Sequence, residues 1–241
     1  MTRKLYGVGL GPGDPELMSV KANRLIRQTR HIAYFRKAGN AGRARSIVEG
    51  LLAPDAVEFA MEYPVTTEIP LSDPRYNDML AGFYTQCTER LAQLVRSGED
   101  VAVICEGDPF FYGSFMHVYT RLKDHIPLEV VPAITGMSAA WTASGAPITW
   151  GDDILSTVMG TMDEQILSEA IASADALVIM KIGRNLAKVR RALETSGKAG
   201  RAVLVQYASM EGEQVCQLSD YCGETLPYFS IIVVHGQGRR P

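Results

Sequence analysis

Several absences narrow this chain of 241 residues before any motif is considered. It has only four cysteines, Cys87, Cys105, Cys216 and Cys222, and no two fall in a C-x-x-C pair, so neither a disulfide framework nor a thiolate metal knuckle is expected. The four histidines, His31, His117, His125 and His235, avoid the i, i+4 spacing of a helical metal site, which predicts no metal. No apolar run approaches the ~18 residues of a membrane span, and the opening MTRKLYGVGL lacks the apolar stretch of a signal peptide; a reduced, cytoplasmic protein is expected. Nor is there an excess of positive charge. A net charge of −3 argues against a general nucleic-acid binder, and 46% hydrophobic with 21% charged residues excludes a disordered chain.

Two nucleotide signatures are also missing. Residues 4–18, KLYGVGLGPGDPELM, run from a short apolar strand into a turn with Gly9, Gly11 and Gly13. That spacing is not Gly-x-Gly-x-x-Gly, and Asp14-Pro15-Glu16 sets carboxylates where a pyrophosphate would sit. No Gly-Lys-Ser/Thr follows, so a phosphate-cradling P-loop is excluded as well.

What is present is a second strand-to-turn unit, VAVICEGDPFFYGS, residues 101–114. Val101 to Cys105 read as a strand buried on both faces, because only a covered parallel strand drops the polar alternation. The turn Glu106-Gly107-Asp108-Pro109 is then placed where ligands bind in open α/β sheets, beyond a strand's carboxyl end. Gly107 permits close backbone approach and Pro109 ends the pairing.

The first half alternates strand and helix. A strand at Leu5 to Val8 is followed by a helical stripe of Met18, Ala22, Leu25 and Ile26, then by a strand at His31 to Phe35. Asp73-Pro74 opens a helix that turns Met79, Phe83, Cys87, Leu91, Leu94 and Val95 inward and ends at Gly98. Such alternation implies right-handed βαβ units. The second half mixes strands at Leu155 to Met159, Leu177 to Met180, Val203 to Gln206 and Phe229 to Val234 with helices near 164–172 and 186–195. The expected fold is α/β, with two domains, 1–131 around a mostly parallel sheet and 132–241 around a mixed one. Residues 236–241 read as a frayed tail.

Together with VVPAITGMSAA (130–140) and weaker echoes at LVIMKIG and VQYAS, the GLGPGDP and EGDPFFYGS segments resemble the tetrapyrrole methylase family of S-adenosylmethionine-dependent enzymes. Order and spacing carry the resemblance across nearly the whole chain. Within that family, residues 33–47, AYFRKAGNAGRARSI, look most like the branch that methylates carbon 20 of precorrin-2 on the way to vitamin B12, giving precorrin-3A. The resemblance implies S-adenosylmethionine lying in a cleft between the two domains, met by Pro12, Glu106, Gly107, Asp108, Phe111, Thr135, Gly136, Met180 and Ala208. It also implies a homodimer. For a macrocycle rich in carboxylates, Arg36, Lys37, Arg43, Arg45, Lys181 and Arg184 are the expected partners, since arginine pairs carboxylates bidentately. Asp14 either caps its turn or takes a proton, and Tyr112 either packs beneath its loop or relays one. A sister methylase acting at another ring position or on cobalt-precorrin-2, a dinucleotide oxidoreductase, and a non-catalytic binding module are the competing readings.

Overall fold

A computed structural model describes residues 3–66, 69 and 73–239. The chain forms two compact units, Met1–Thr135 and Gly136–Pro241.

In the first unit five parallel strands lie in the order β3-β2-β4-β1-β5, where β1 is Leu5–Gly9, β2 His31–Lys37, β3 Val57–Tyr63, β4 Val101–Cys105 and β5 Leu128–Val131. The unbroken apolar run Val101 to Cys105 sits between β1 and β2, as a strand covered on both faces should. On one face α1 (Val20–Gln28) and α2 (Arg43–Ile47) pack Ala22, Ile26, Ala44 and Val48 against Val8, Ile32, Ala102 and Ile104. The opposite face carries α3 (Pro74–Arg96) and α4 (Phe115–Leu122), whose Cys87, Leu91, Phe115 and Val118 meet Leu5, Ala33, Val101 and Val103. Residue parity along each strand thus sends alternate side chains to two separate cores.

The second unit has a mixed sheet, β6-β7-β10-β8-β9: β6 is Leu155–Met159, β7 Ala176–Met180, β8 Ala202–Gln206, β9 Gln214–Gln217 and β10 Ser230–Val234. β6 and β7 are parallel, while β10 runs antiparallel to both β7 and β8. Consequently β6, β7 and β8 all point the same way, and their carboxyl ends share one edge. Helices α6 (Glu164–Ser173) and α7 (Leu186–Thr195) cover one face with Leu167, Ile171, Val189 and Leu193. The short α5 (Gly136–Ala143) lies on the other, near Val178, Val205 and Val233.

Three local expectations change. Met18 precedes α1, whose cap is Ser19, yet it is still buried. Met79 is 42% exposed, and the buried positions of α3 begin only at Tyr84. The stretch 236–239 is tied down, not frayed: the Gly236 N–H donates to Ile148 O at 2.9 Å and Asp153 Oδ2 accepts from Gly238 N at 3.3 Å. Residues 240 and 241 lie outside the described residues.

Leu91 is fully buried in the α3 core whereas Met79 on the same helix is half-exposed. Leu91→Ala should therefore lower unfolding stability by about 2–5 kcal/mol and Met79→Ala by less than ~0.5 kcal/mol. Urea titration followed by circular dichroism checks the contrast; equal midpoint shifts for the two variants would contradict the packing described.

Candidate functional site

The topology of the first unit creates a crevice. From β1 the chain crosses to α1 on one face; from its neighbour β4 it crosses to α4 on the other. The loops leaving these two strands must therefore part, and such a switch point is where open α/β sheets bind ligands.

Backbone bonds hold the mouth of the crevice. The Leu10 N–H donates to Cys105 O at 2.9 Å and the Gly107 N–H to Gly11 O at 2.7 Å, the latter an isolated bridge beyond the ends of both strands. The approach is close enough to require glycine at position 9. A Cβ there would stand 2.6 Å from Ala133 Cβ and 2.9 Å from Gly107 O. Gly107 has φ of 66°, and a Cβ on it would meet nothing within 4 Å, so the loop presents bare backbone toward open space. A polar ligand can reach that backbone directly.

Asp108 turns out to be a clamp. Its Oδ1 accepts from Phe110 N and its Oδ2 from Ala133 N, each at 2.9 Å, tying the loop after β4 to the segment after β5. Both carboxylate oxygens thus serve backbone donors. Asp108 shapes the proposed cofactor loop through its side chain.

Asp14, expected to cap or to take a proton, caps: its Oδ1 accepts from Glu16 N at 2.8 Å and opens a short 3₁₀ turn. Tyr112 does not pack beneath its loop. It is 47% exposed, has φ of 55°, and sets its ring edge-on to half-buried Phe111 at 4.8 Å. Pro12 is buried beside Gly11.

Glu106 stands apart. It is half-buried, and burial pushes its carboxyl up to about 7 against the opposing pull of Arg43. The thiols nearby are inert by the same physics: burial raises Cys87 to about 11 and raises Cys105 as well. All four cysteines are free.

The basic segment leaves β2 at the same carboxyl edge as the glycine loops. Within it, Arg36 pairs Glu62 at 2.6 Å and Arg45 pairs Glu58 at 2.7 Å. A depression of about 290 Å³ lies between them, lined also by Tyr34, Ser46 and Glu49. Lys37 and Arg43 are exposed.

In the second unit, Met180 ends β7 half-buried, and its carbonyl accepts from Gly160 N at 2.7 Å. Ala208 follows β8 within a loop fixed by Tyr207 N donating to Phe229 O at 2.8 Å. Lys181 and Arg184 are exposed after β7, and Gly136 opens α5. Thr135 is the last residue of the first unit. Every non-glycine residue with positive φ among the described residues leaves a carboxyl strand end: Tyr112 after β4, Lys181 (51°) after β7, Tyr207 (54°) and Ser209 (58°) after β8. Each costs about 1–2 kcal/mol, and such strain gathers where loops meet ligands. Sequence alone does not reveal this strain, because none of the four is a glycine; it singles out Tyr112 and Lys181 on other grounds but misses Tyr207, Ser209 and Ala133, whose contribution is an N–H.

Residues 4–219 match the model of the tetrapyrrole (corrin/porphyrin) methylases. A precorrin-2 C(20)-methyltransferase of Sinorhizobium is 47% identical over 99% of this chain and 97% of its own length. A cobalt-precorrin-2 C(20)-methyltransferase of Salmonella typhimurium is 27% identical, covering 98% of each chain. Among solved structures, uroporphyrin-III C-methyltransferase of Thermus thermophilus, complexed with S-adenosyl homocysteine, superimposes with a TM-score of 0.67 at 23% identity, over 96% of this chain and 92% of that one.

Asp108→Asn retains one acceptor oxygen and turns an NH₂ group toward a backbone donor. The orphaned N–H should cost about 1–3 kcal/mol. Denaturant midpoints test this; an unshifted midpoint would mean the two bonds do not brace the loop.

Proposed function

Because the chain belongs to the tetrapyrrole (corrin/porphyrin) methylase family, we propose that it transfers a methyl group from S-adenosylmethionine to carbon 20 of precorrin-2, in cobalamin biosynthesis. The observation that carries this reading is near-full-length similarity to the Sinorhizobium enzyme, stronger than that to the cobalt-precorrin-2 enzyme of Salmonella, which favours the metal-free substrate.

The residues fit the cofactor. A zwitterionic methionine tail needs exposed backbone donors and acceptors, and Gly107 offers them with nothing crowding its Cβ direction. Thr135 adds a hydroxyl, whereas half-buried Met180 and Ala208 suit an adenine face. Pro12, Phe111, Gly136 and the backbone of Glu106 complete the proposed set, and Asp108 holds its loop in shape.

S-adenosylmethionine supplies a methyl group on a positively charged sulfur. Since that charge disperses as the methyl departs, a strong anion beside it would stabilise the ground state as much as the transition state, and the protein gains more by orientation. Aligned reactants gain on the order of 7–11 kcal/mol. Loops braced by backbone bonds suit that task. Arg36, Lys37, Arg43, Arg45, Lys181 and Arg184 orient the substrate through its carboxylates; for Arg36 and Arg45 this means exchanging Glu62 and Glu58 for substrate.

The chain acts in the cytoplasm, consistent with the absence among the described residues of any helix long and apolar enough to cross a membrane. It works as a homodimer: the eight-residue α5 is short against a five-stranded sheet, and a second copy would cover the remainder.

Purified protein given precorrin-2 and methyl-labelled S-adenosylmethionine should yield product with the label on carbon 20 by NMR; label at another ring position would reject the assignment. Gly107→Ala should weaken S-adenosylhomocysteine binding by about tenfold or more, equivalent to ~1.4 kcal/mol. Unchanged affinity in calorimetry would remove that backbone from the site. Arg43→Gln combined with Arg45→Gln should raise the KM for precorrin-2 several-fold at constant cofactor affinity, each partly exposed contact being worth about 1 kcal/mol. Light scattering should give twice the chain mass at micromolar concentration.

A further inference from the structure

Methylating a ring carbon that bears hydrogen leaves a proton to be removed, and most acidic groups near the crevice are already engaged. Asp14 accepts from Glu16 N, and both oxygens of Asp108 accept backbone N–H groups. Glu16 is exposed on its turn. Glu106 is the exception. It follows β4 directly, beside the Gly11–Gly107 bridge, and its half-buried carboxyl makes no hydrogen bond with any described residue.

β4 ends at Cys105, which packs toward α3 and α4, and Glu106 follows in the turn. Arg43 of α2 acts on the Glu106 carboxyl, while Arg45 of α2 is bound to Glu58 of β3, and Arg36 of β2 to Glu62 of β3. The Tyr34 phenol on β2 is held by Glu58. A half-buried carboxyl without a donor is costly to keep ionised, so its position calls for a function that uses the charge transiently.

We propose that the Glu106 carboxylate accepts the proton released from carbon 20 as the methyl group is installed. The inference depends on the substrate assignment made above. In the step, the π-electron pair at carbon 20 forms the new C–CH₃ bond as the S–CH₃ pair leaves with sulfur, and the positive charge passes to the macrocycle. Transfer of the carbon-20 proton to Glu106 then returns the C–H pair to the ring. Glu106 becomes a neutral acid and passes its proton to water. Its place near 7 makes it a base at physiological pH that is readily reset.

Glu106→Gln preserves shape and removes the base. With precorrin-2 as substrate, kcat should fall about 100-fold or more, while KM and the calorimetric affinity for S-adenosylhomocysteine stay within about twofold. In the wild type, kcat should rise with pH through about 7 as the carboxylate forms, and the variant should lack that limb. Independently of turnover, infrared difference spectra of the wild type should show a protonated carboxyl band titrating over the same range, absent from Glu106→Gln. A folded variant with kcat within about threefold of wild type overturns the role. So does a loss of cofactor affinity matching the loss of rate, which would make the Glu106 side chain, and not only its backbone, a cofactor contact. If wild-type protein binds S-adenosylhomocysteine yet does not methylate precorrin-2, the substrate assignment falls and this role with it.

Discussion

The structure of the first unit depends on the divergence of β1 and β4. Two parallel neighbours whose chains cross to opposite faces cannot continue their ladder, so peptide groups at the switch lose partners just where the core ends. The protein meets this demand without filling the crevice. One bond joins Gly107 to Gly11 across the gap, and the Asp108 carboxylate takes two further N–H groups. Charge-assisted bonds of this kind contribute about 1.5–3 kcal/mol each, more than neutral ones. The loops are rigid because their polar groups bond to each other, and one face remains open because glycines put no side chain there.

This use of acidic residues explains the sparse ionisable chemistry of the site. A reaction that disperses charge has little need of an array of acids and bases. Carboxylates here mostly hold backbone, as at Asp14 and Asp108, or hold arginines, as at Glu58 and Glu62. The second unit shapes its strand-end loops differently, by left-handed residues that carry side chains. Lys181, Tyr207 and Ser209 keep strained φ values that the surrounding sheet must enforce.

Much of the fold is legible in the residues, and the parts that are not have physical causes. Strand β4 is evident because an unbroken apolar run ending in a glycine and proline turn fits a covered strand and little else; α3 is evident because Asp73-Pro74 marks a helix start so plainly. By contrast β3, whose burial is patchy at an edge, and β9, nearly all exposed, lack the apolar pattern that signals a strand. Helix α2 has five residues and no side-chain cap, so nothing local announces it. At the site, glycine and proline spacing reveals where the loops are. It does not reveal what each acid does, since capping, clamping and proton transfer all call for a carboxylate in a turn. Only the bonds made by Asp14 and Asp108, set against the burial of Glu106, separate them.

The strand order also bears on how the chain is made. Of the described strands β1 is made first, yet its sheet neighbours among them are β4 and β5, which begin about a hundred residues later. At roughly 5–20 residues per second, β1 waits on the order of 5–20 seconds before either neighbour is synthesised. Through that interval an apolar segment with both hydrogen-bonding edges unpaired is exposed to solvent and to other nascent chains. The placement that puts the glycine loop at the centre of the sheet therefore makes the N-terminal unit slow to close during translation, a cost borne by the ribosome-bound chain and absent from the finished protein.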